Sequence, residues 1–274
     1  MSIISKVQNF IEVTKVFENW HIFLLDHFGL IRKKEVVYRT RSGLKFIART
    51  NSLDRWVIKE MFGVNPYSKV EIKQGDVVVD VGAHIGCYTL LASLKLKGRG
   101  KVYAYEPDPG NYDLLERNIS INHCSIAKAY NKGIFKERRR IKLYQYARGN
   151  KLLSGNSSFS SFQPKAVYDA RIVKTIEVEC ITLEDVFNEN SLERINVLKM
   201  DCEGAEYEIL FSTSEEILRR IDRICLEYHD HLSQTYSHKD LIRFLSELGF
   251  KVEHHVLKTS VPHTGMIYAW NQHR

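Results

Sequence analysis

The chain has 274 residues, 44% hydrophobic, 11% aromatic and 27% charged. That is enough apolar material to bury one catalytic-sized domain, and it excludes a disordered, collagen-like or disulfide-stapled protein. Forty Lys and Arg against 33 Asp and Glu leave +7, a mild excess that favours anionic partners without specifying which.

Five cysteines, Cys87, Cys124, Cys180, Cys202 and Cys225, include no C-x-x-C pair. Neither a disulfide framework nor a zinc knuckle is expected, and a reducing, cytoplasmic setting fits best. The apolar stretch His21–Ile31 is interrupted by Asp26 and His27, short of the roughly 20 residues of a membrane span, so no transmembrane segment or export signal is expected.

Residues 1–70 read as an accessory segment. An amphipathic helix is predicted over Ser5–Phe28, followed by strand-like runs Val36–Arg41 and Leu44–Arg49 around a Ser42-Gly43 hairpin turn. A short helix from Ser52 or Asp54 carries Trp56, Val57 and Met61 on one face.

Residues 71–274 alternate buried-strand runs with helical spacings, the pattern of a mostly parallel sheet with helices on both faces. The predicted strands are Val77–Val81, Val102–Glu106, Ile126–Asn131, Asn196–Asp201 and Ile221–Glu227, with Phe250–Val256 and Met266–Trp270 as a terminal antiparallel pair. Helices are read from Cys87, Leu90, Leu91 and Leu94, from Tyr112, Leu115 and Ile119, and from Leu241, Leu245 and Leu248. A Ser/Gly/Asn-rich loop, Ser154–Phe162, lies between β-like runs Ile141–Tyr146 and Thr175–Cys180. Its length suits a lid or binding loop, or equally a solvated one.

The segment VVVDVGAHIG, Val77 to Gly86, ends a buried strand in an acid and then a glycine-bracketed turn that opens a helix, so a ligand can approach the backbone. Its D-x-G-x-x-x-G spacing departs from the dinucleotide fingerprint G-x-G-x-x-G, which disfavours nicotinamide binding, and there is no P-loop motif. At the end of the next strand Glu106, beside Pro107, can accept hydrogen bonds from both hydroxyls of a ribose, pointing to a nucleoside ligand. Asp80 has a compatible structural reading, and His84 is a backbone contributor rather than an acid or base.

These blocks resemble the class I S-adenosylmethionine-dependent methyltransferases, and within them the FkbM family. The resemblance covers about residues 50 to 260. It is carried by VVVDVGAHIG, VYAYEPDPGNYDLLERNI, SGNSSFSSF, TLEDVF, and above all VLKMDCEGAEYEIL followed by ICLEYH. It implies a Rossmann-like α/β fold with a seven-stranded sheet. It also implies S-adenosyl-L-methionine bound across Asp80, Gly82, Ala83, His84 and Gly86, with its ribose on Glu106. The family is associated with O-methylation of sugars, glycolipids and natural products.

The catalytic candidates lie at two later strand ends. Asp201 and Glu203 sit where a methyl acceptor would enter and could contact either the acceptor or the sulfonium; Glu206 has the structural alternative of an acid in the first turn of a helix. Glu227 and His229 end the next strand, and His229 is the natural base because its ordinary pKa is about 6.5. Asp201, Glu227 and His229 could also hold a divalent metal, but no third oxygen ligand is evident, so none is assigned.

The expected partner is a small-molecule or glycan hydroxyl acceptor. An RNA methyltransferase is the rival reading, supported by the net charge and Arg138-Arg139-Arg140. It is opposed by KMDCEG standing where an N-P-P-[YF] amine-methylating motif would be, and by the lack of a P-C-type nucleophile. A non-enzymatic S-adenosylmethionine-binding module is a third. No acid in Tyr130–Gly133 offers a partner to the adenine amine. The first 50 residues match no motif and are left to acceptor choice or self-association, for instance as a homodimer.

Overall fold

The computed structural model describes residues 3–148, 151–152, 157–159, 171–233, 235–257 and 263–273. The chain opens with α1 (Ile3–Val16) and α2 (Trp20–His27), where the periodicity predicts one helix over Ser5–Phe28. Asn19 is the reason for the break. Its side chain donates to Val37 O (2.8 Å) and accepts from Arg39 N (2.9 Å), so it serves a strand backbone instead of a helix. That strand, β1 (Glu35–Arg39), pairs antiparallel with β2 (Lys45–Arg49), and α3 (Asp54–Gly63) follows.

The main body then runs β3 (Val77–Val81), α4 (Cys87–Leu96), β4 (Lys101–Tyr105), α5 (Pro109–Ile121) and β5 (Ala127–Tyr130). Asp108 starts α5 by accepting hydrogen bonds from the Gly110 and Asn111 amides, with Pro109 in the first turn. A side excursion follows: β6 (Gly133–Ile134), β7 (Arg139–Arg148), β8 (Lys151–Leu152) and β9 (Arg171–Ile181) form a separate four-stranded sheet in the order β6-β9-β7-β8. The predicted runs Ile141–Tyr146 and Thr175–Cys180 are its antiparallel β7 and β9. Of the Ser154–Phe162 loop, Ser157, Ser158 and Phe159 are described; the rest of that expectation lies outside the described residues.

The chain returns through α6 (Leu183–Glu189), β10 (Ile195–Met200), α7 (Glu206–Ser212), α8 (Glu215–Leu218), β11 (Ile221–His229), a 3-10 turn (Asp230–Leu232), α9 (His238–Glu247), β12 (Phe250–Val256) and β13 (Thr264–Asn271). The central sheet has seven strands in the order β12-β13-β11-β10-β3-β4-β5. β13 is antiparallel to β11 and β12, and the other pairs are parallel. This is the Rossmann-like α/β arrangement expected from the sequence.

Period-2 alternation sorts the strands into two cores. Val79, Val81, Leu198, Met200, Ile224 and Leu226 face α6, α7 and α9. Val78, Val102, Val197 and Cys225 face α4 and the N-terminal segment, which contributes Val13, Phe17, Phe23, Tyr38, Phe46 and Ile58 to that second core. Each such fully buried apolar side chain contributes about 1.5–3 kcal/mol, so the stretch from Val13 to Ile58 is held firmly to one face of the sheet.

From β3 the chain builds outward through β4 and β5, then restarts on the opposite side with β10. The β3/β10 junction is the point where strand order reverses, and open α/β sheets bind ligands at the carboxyl ends of the strands there. No helix among the described residues is long and apolar enough to cross a membrane.

Candidate functional site

Gly82, immediately after β3, has φ +75°, and a Cβ built on it would lie 1.9 Å from the Asp201 carbonyl oxygen. Only a glycine lets the ends of β3 and β10 touch in this way. The turn closes at Gly86 (φ +90°), where a Cβ would come within 2.7 Å of Leu115 Cδ1. His84 between them also adopts a left-handed φ of +51°, a conformation that non-glycine residues hold only when the surroundings enforce it.

The enforcement is visible. Gly82 N and Ala83 N both donate to Tyr105 O (3.0 and 3.1 Å), His84 N donates to Glu106 Oε2 at 2.7 Å, and Lys199 Nζ donates to Gly82 O at 2.9 Å. Asp80 is corrected by this arrangement. Expected at the cofactor, it is fully buried behind the turn, accepting from Thr89 Oγ1 (2.7 Å) and pairing with Lys199 Nζ (3.0 Å). Burial alone would lower the Lys199 pKa, but Asp80 and Asp201 drive it up, so this lysine is a fixed cation. Ala83 likewise packs under the turn against Ala104 and Leu115.

Glu106 closes the other wall. Its carboxylate accepts from the amides of His84 (2.7 Å) and Asp108 (2.9 Å) and from Asn111 Nδ2 (3.3 Å). Burial pushes its pKa up, partly offset by the His84 ring. Gly82, His84, Glu106 and Pro107 line a cleft of about 100 Å³, with Asp201 and Glu203 on its far rim. Gly86 sits outside this lining, as the N-cap of α4.

At the far rim, β10 and β11 end in parallel register with Met200 opposite Leu226, which carries Asp201, Glu227 and His229 to the same edge. His229 is 3% exposed. Its Nδ1 lies 3.1 Å from Glu206 Oε1, and its Nε2 faces Glu203 Oε2 (3.8 Å), Glu227 Oε1 (3.9 Å) and Asp201 Oδ1 (4.0 Å). Burial would lower the pKa of this ring, but Glu206, Glu203 and Glu227 raise it well above the usual histidine range. The surrounding carboxylates thus favour the protonated ring, which weighs against His229 as the base.

Glu206 is also not merely an acid in a first turn. It is fully buried and accepts from the amides of Cys202 and Gly204 (both 2.9 Å), fixing the tight turn in which Glu203 holds φ +50°. Glu227 is pushed up to about 8, first by burial and then by the charge of Asp201. Asp201 is the most accessible of the group, at 32% side-chain exposure, and its Oδ2 accepts from Tyr67 Oη at 2.9 Å.

Residues 80–252 match the pattern of the methyltransferase FkbM domain. The chain belongs to this family. Among similar proteins, the methyltransferase sdnD of Sordaria araneosa is 28% identical over 67% of this chain and 78% of its own length. The 31-O-demethyl-FK506 methyltransferase FkbM of Streptomyces tacrolimicus is 28% identical over 64% and 75%, and the hexuronic acid methyltransferase AglP of Haloferax volcanii 24% over 72% and 74%. A crystal structure of a methyltransferase FkbM from Methylobacillus flagellatus superposes with a TM-score of 0.48 at 15% identity, covering 80% of this chain and 54% of that one.

Several residues that build this FkbM-family site escape the sequence reading. Arg49, on β2, donates to both Asp54 oxygens (2.9 and 3.0 Å) and to Asn111 Oδ1 (2.7 Å). Asp54 in turn lies 3.4 Å from His84 Nε2. Burial would raise the Asp54 pKa, but His84 and Arg49 hold its carboxyl well below the ordinary range. The N-terminal segment thus props up the His84 turn from outside, and Tyr67 does the same for Asp201. A lysine inside the apolar run Val197-Leu198-Lys199-Met200 was the one legible signal, since a buried cation demands a buried anion.

Proposed function

We propose that this methyltransferase moves the methyl group of S-adenosylmethionine to an acceptor hydroxyl on a sugar, glycolipid or other small metabolite. The observation that carries the reading is one cleft with two unlike walls: a glycine turn and a diol-accepting carboxylate on one side, and the carboxylates of Asp201 and Glu203 on the other. Two relatives fit: the name of one specifies a 31-O-demethyl substrate, and that of the other a hexuronic acid.

The residues suit the donor. Glu106 lines the cleft as the acceptor for a ribose diol, Gly82 allows close backbone approach, and Ile134, Leu143 and Phe159 supply apolar surface for a base. Bound there, the donor supplies an electrophilic methyl on a sulfonium. Asp201, opening on the cleft, orients the acceptor hydroxyl and takes its proton as the oxygen attacks. Tyr67 fixes the carboxylate that does so. Such general-base help is worth on the order of 10²–10⁴-fold. Phe159 and Leu143 exclude water from the same space.

The arginine run does not by itself favour RNA, since Arg138 pairs at the surface with Asp185 and Glu189, Arg139 with Glu137, and Arg140 with Glu177.

Calorimetry with S-adenosylmethionine tests the donor site: binding is expected to the wild type and to be lost in Gly82→Arg and Glu106→Ala. Unchanged binding in both variants removes the donor from this cleft. Transfer of a labelled methyl to glycans and to RNA then separates the acceptors. Asp201→Asn is expected to lower kcat about 10²–10⁴-fold with donor affinity retained.

A further inference from the structure

We propose that Asp201, Glu227 and His229, joined by Glu203, bind one divalent cation of the Mn²⁺ type at the rim of the cleft. This rests on the reading above that the acceptor meets the donor beside Asp201. One ligand atom from each of Asp201, Glu227 and His229 lies within 4.8 Å of the others. An octahedral ion with bonds of about 2.1 Å sets cis ligands ~3 Å and trans ligands ~4.2 Å apart, so the acids now 3.8–4.0 Å from His229 Nε2 draw in by up to roughly 1 Å as the ion binds. Glu203 Oε2, 3.8 Å from His229 Nε2, stands beside this set without belonging to it, so it joins by a side-chain rotation or through a bound water.

The independent pointer to a ligand is His229 Nε2. The ring is 3% exposed and this atom is aimed into the carboxylates, yet none comes closer than 3.8 Å, beyond hydrogen-bond range. If Nε2 carries a proton, that N–H finds no acceptor within hydrogen-bond range among the carboxylates it faces. If it does not, its lone pair faces three carboxylates. A cation between them resolves both conflicts, with the Nε2 proton released to solvent as it binds. Glu206 completes the arrangement, because its Oε1 lies 3.1 Å from Nδ1. A carboxylate on the second ring nitrogen fixes the tautomer and directs the other nitrogen at the metal.

One imidazole among carboxylates suits Mn²⁺ better than Mg²⁺, which prefers oxygen alone, or Zn²⁺, which prefers fewer ligands. Three monodentate protein ligands leave three positions of an octahedral shell, of which at least two are adjacent. These fit an acceptor presenting its hydroxyl next to a second oxygen, as vicinal diols and hydroxy acids do.

The full chain, stripped with EDTA and dialysed, is titrated with Mn²⁺ while free aqueous Mn²⁺ is followed by electron paramagnetic resonance. One ion per chain is expected, with Kd tighter than ~1 mM. Glu227→Gln and His229→Gln should each weaken binding more than tenfold, and Glu206→Gln by about 10–100-fold. Glu215→Gln, on α8, should change nothing. Nitrogen modulation of the bound-Mn²⁺ signal should vanish in His229→Gln, which a purely structural imidazolium could not produce. No stoichiometric binding by the wild type, or wild-type binding by both Glu227→Gln and His229→Gln, overturns the proposal. Donor binding is measured by calorimetry on the same metal-free sample. Donor binding without Mn²⁺ binding discards the cation site alone, and Mn²⁺ binding without donor binding discards the methyl-transfer reading alone.

Discussion

The two walls of the cleft are built on opposite electrostatic principles. On the glycine side each charge has its counter-charge or its donors: Asp80 has Lys199 and Thr89, Asp54 has Arg49 and His84, and Glu106 has two backbone amides and Asn111. On the acid side four carboxylates crowd one buried imidazole, and three of them stay at 3.8–4.0 Å from it. The first wall is a finished structure that a ligand finds ready. The second is unfinished, and unresolved charge in a folded protein marks the place where a substrate, proton or ion completes it.

The contrast can be broken first at Lys199. Lys199→Met leaves Asp80 fully buried without its cation, which should cost about 3–5 kcal/mol in urea unfolding. The double variant Asp80→Asn with Lys199→Met should recover most of it. A loss below 1 kcal/mol would mean that water reaches Asp80 and that the glycine wall is not closed. Next is Gly82→Ala. The new Cβ meets the Asp201 carbonyl at 1.9 Å on a backbone at φ +75°, so both walls must part, at an expected ~2–3 kcal/mol. Arg49→Met is milder. Removing three hydrogen bonds to Asp54 and Asn111 should cost about 1–2 kcal/mol and weaken donor binding several-fold, because the His84 turn loses its outer prop. Unchanged donor affinity would show that the N-terminal segment packs on the sheet without serving the site.

The difference between the walls also explains what could be read from the sequence. The central strands were legible because each is a continuous apolar run, and β3, β4, β10 and β11 fall within a residue or two of their expected limits. The glycine turn was legible because a chain reversal with positive φ leaves few residue choices. Asp80 was misplaced since alternation along β3 puts it on the face of Val78, away from the crevice, and its partner is over a hundred residues distant. The charge environment of His229 is hidden from the sequence for a related reason. Its position at a strand end is local information, whereas its protonation depends on Glu203, Glu206 and Glu227, which only the β10/β11 pairing brings around it. The break at Asn19 and the props at Arg49 and Tyr67 are tertiary contacts as well, and no periodicity encodes them.

The smallest expected effect is the most telling. Glu227→Gln keeps the shape of a side chain whose proton burial and Asp201 already hold on near neutral pH, and removes its capacity to ionise. On a wall built for stability, losing one partner of a buried polar set costs several kcal/mol, as at Lys199. On a wall held in conflict for function, the same loss should leave unfolding in urea within ~1 kcal/mol of the wild type, or raise stability, while methyl transfer falls. That pairing of retained stability with lost turnover is the signature of a site whose strain is offset elsewhere in the fold. A stability loss above 2 kcal/mol would instead make the cluster an ordinary ion network holding β10 against β11. The two walls would then differ in composition and not in purpose.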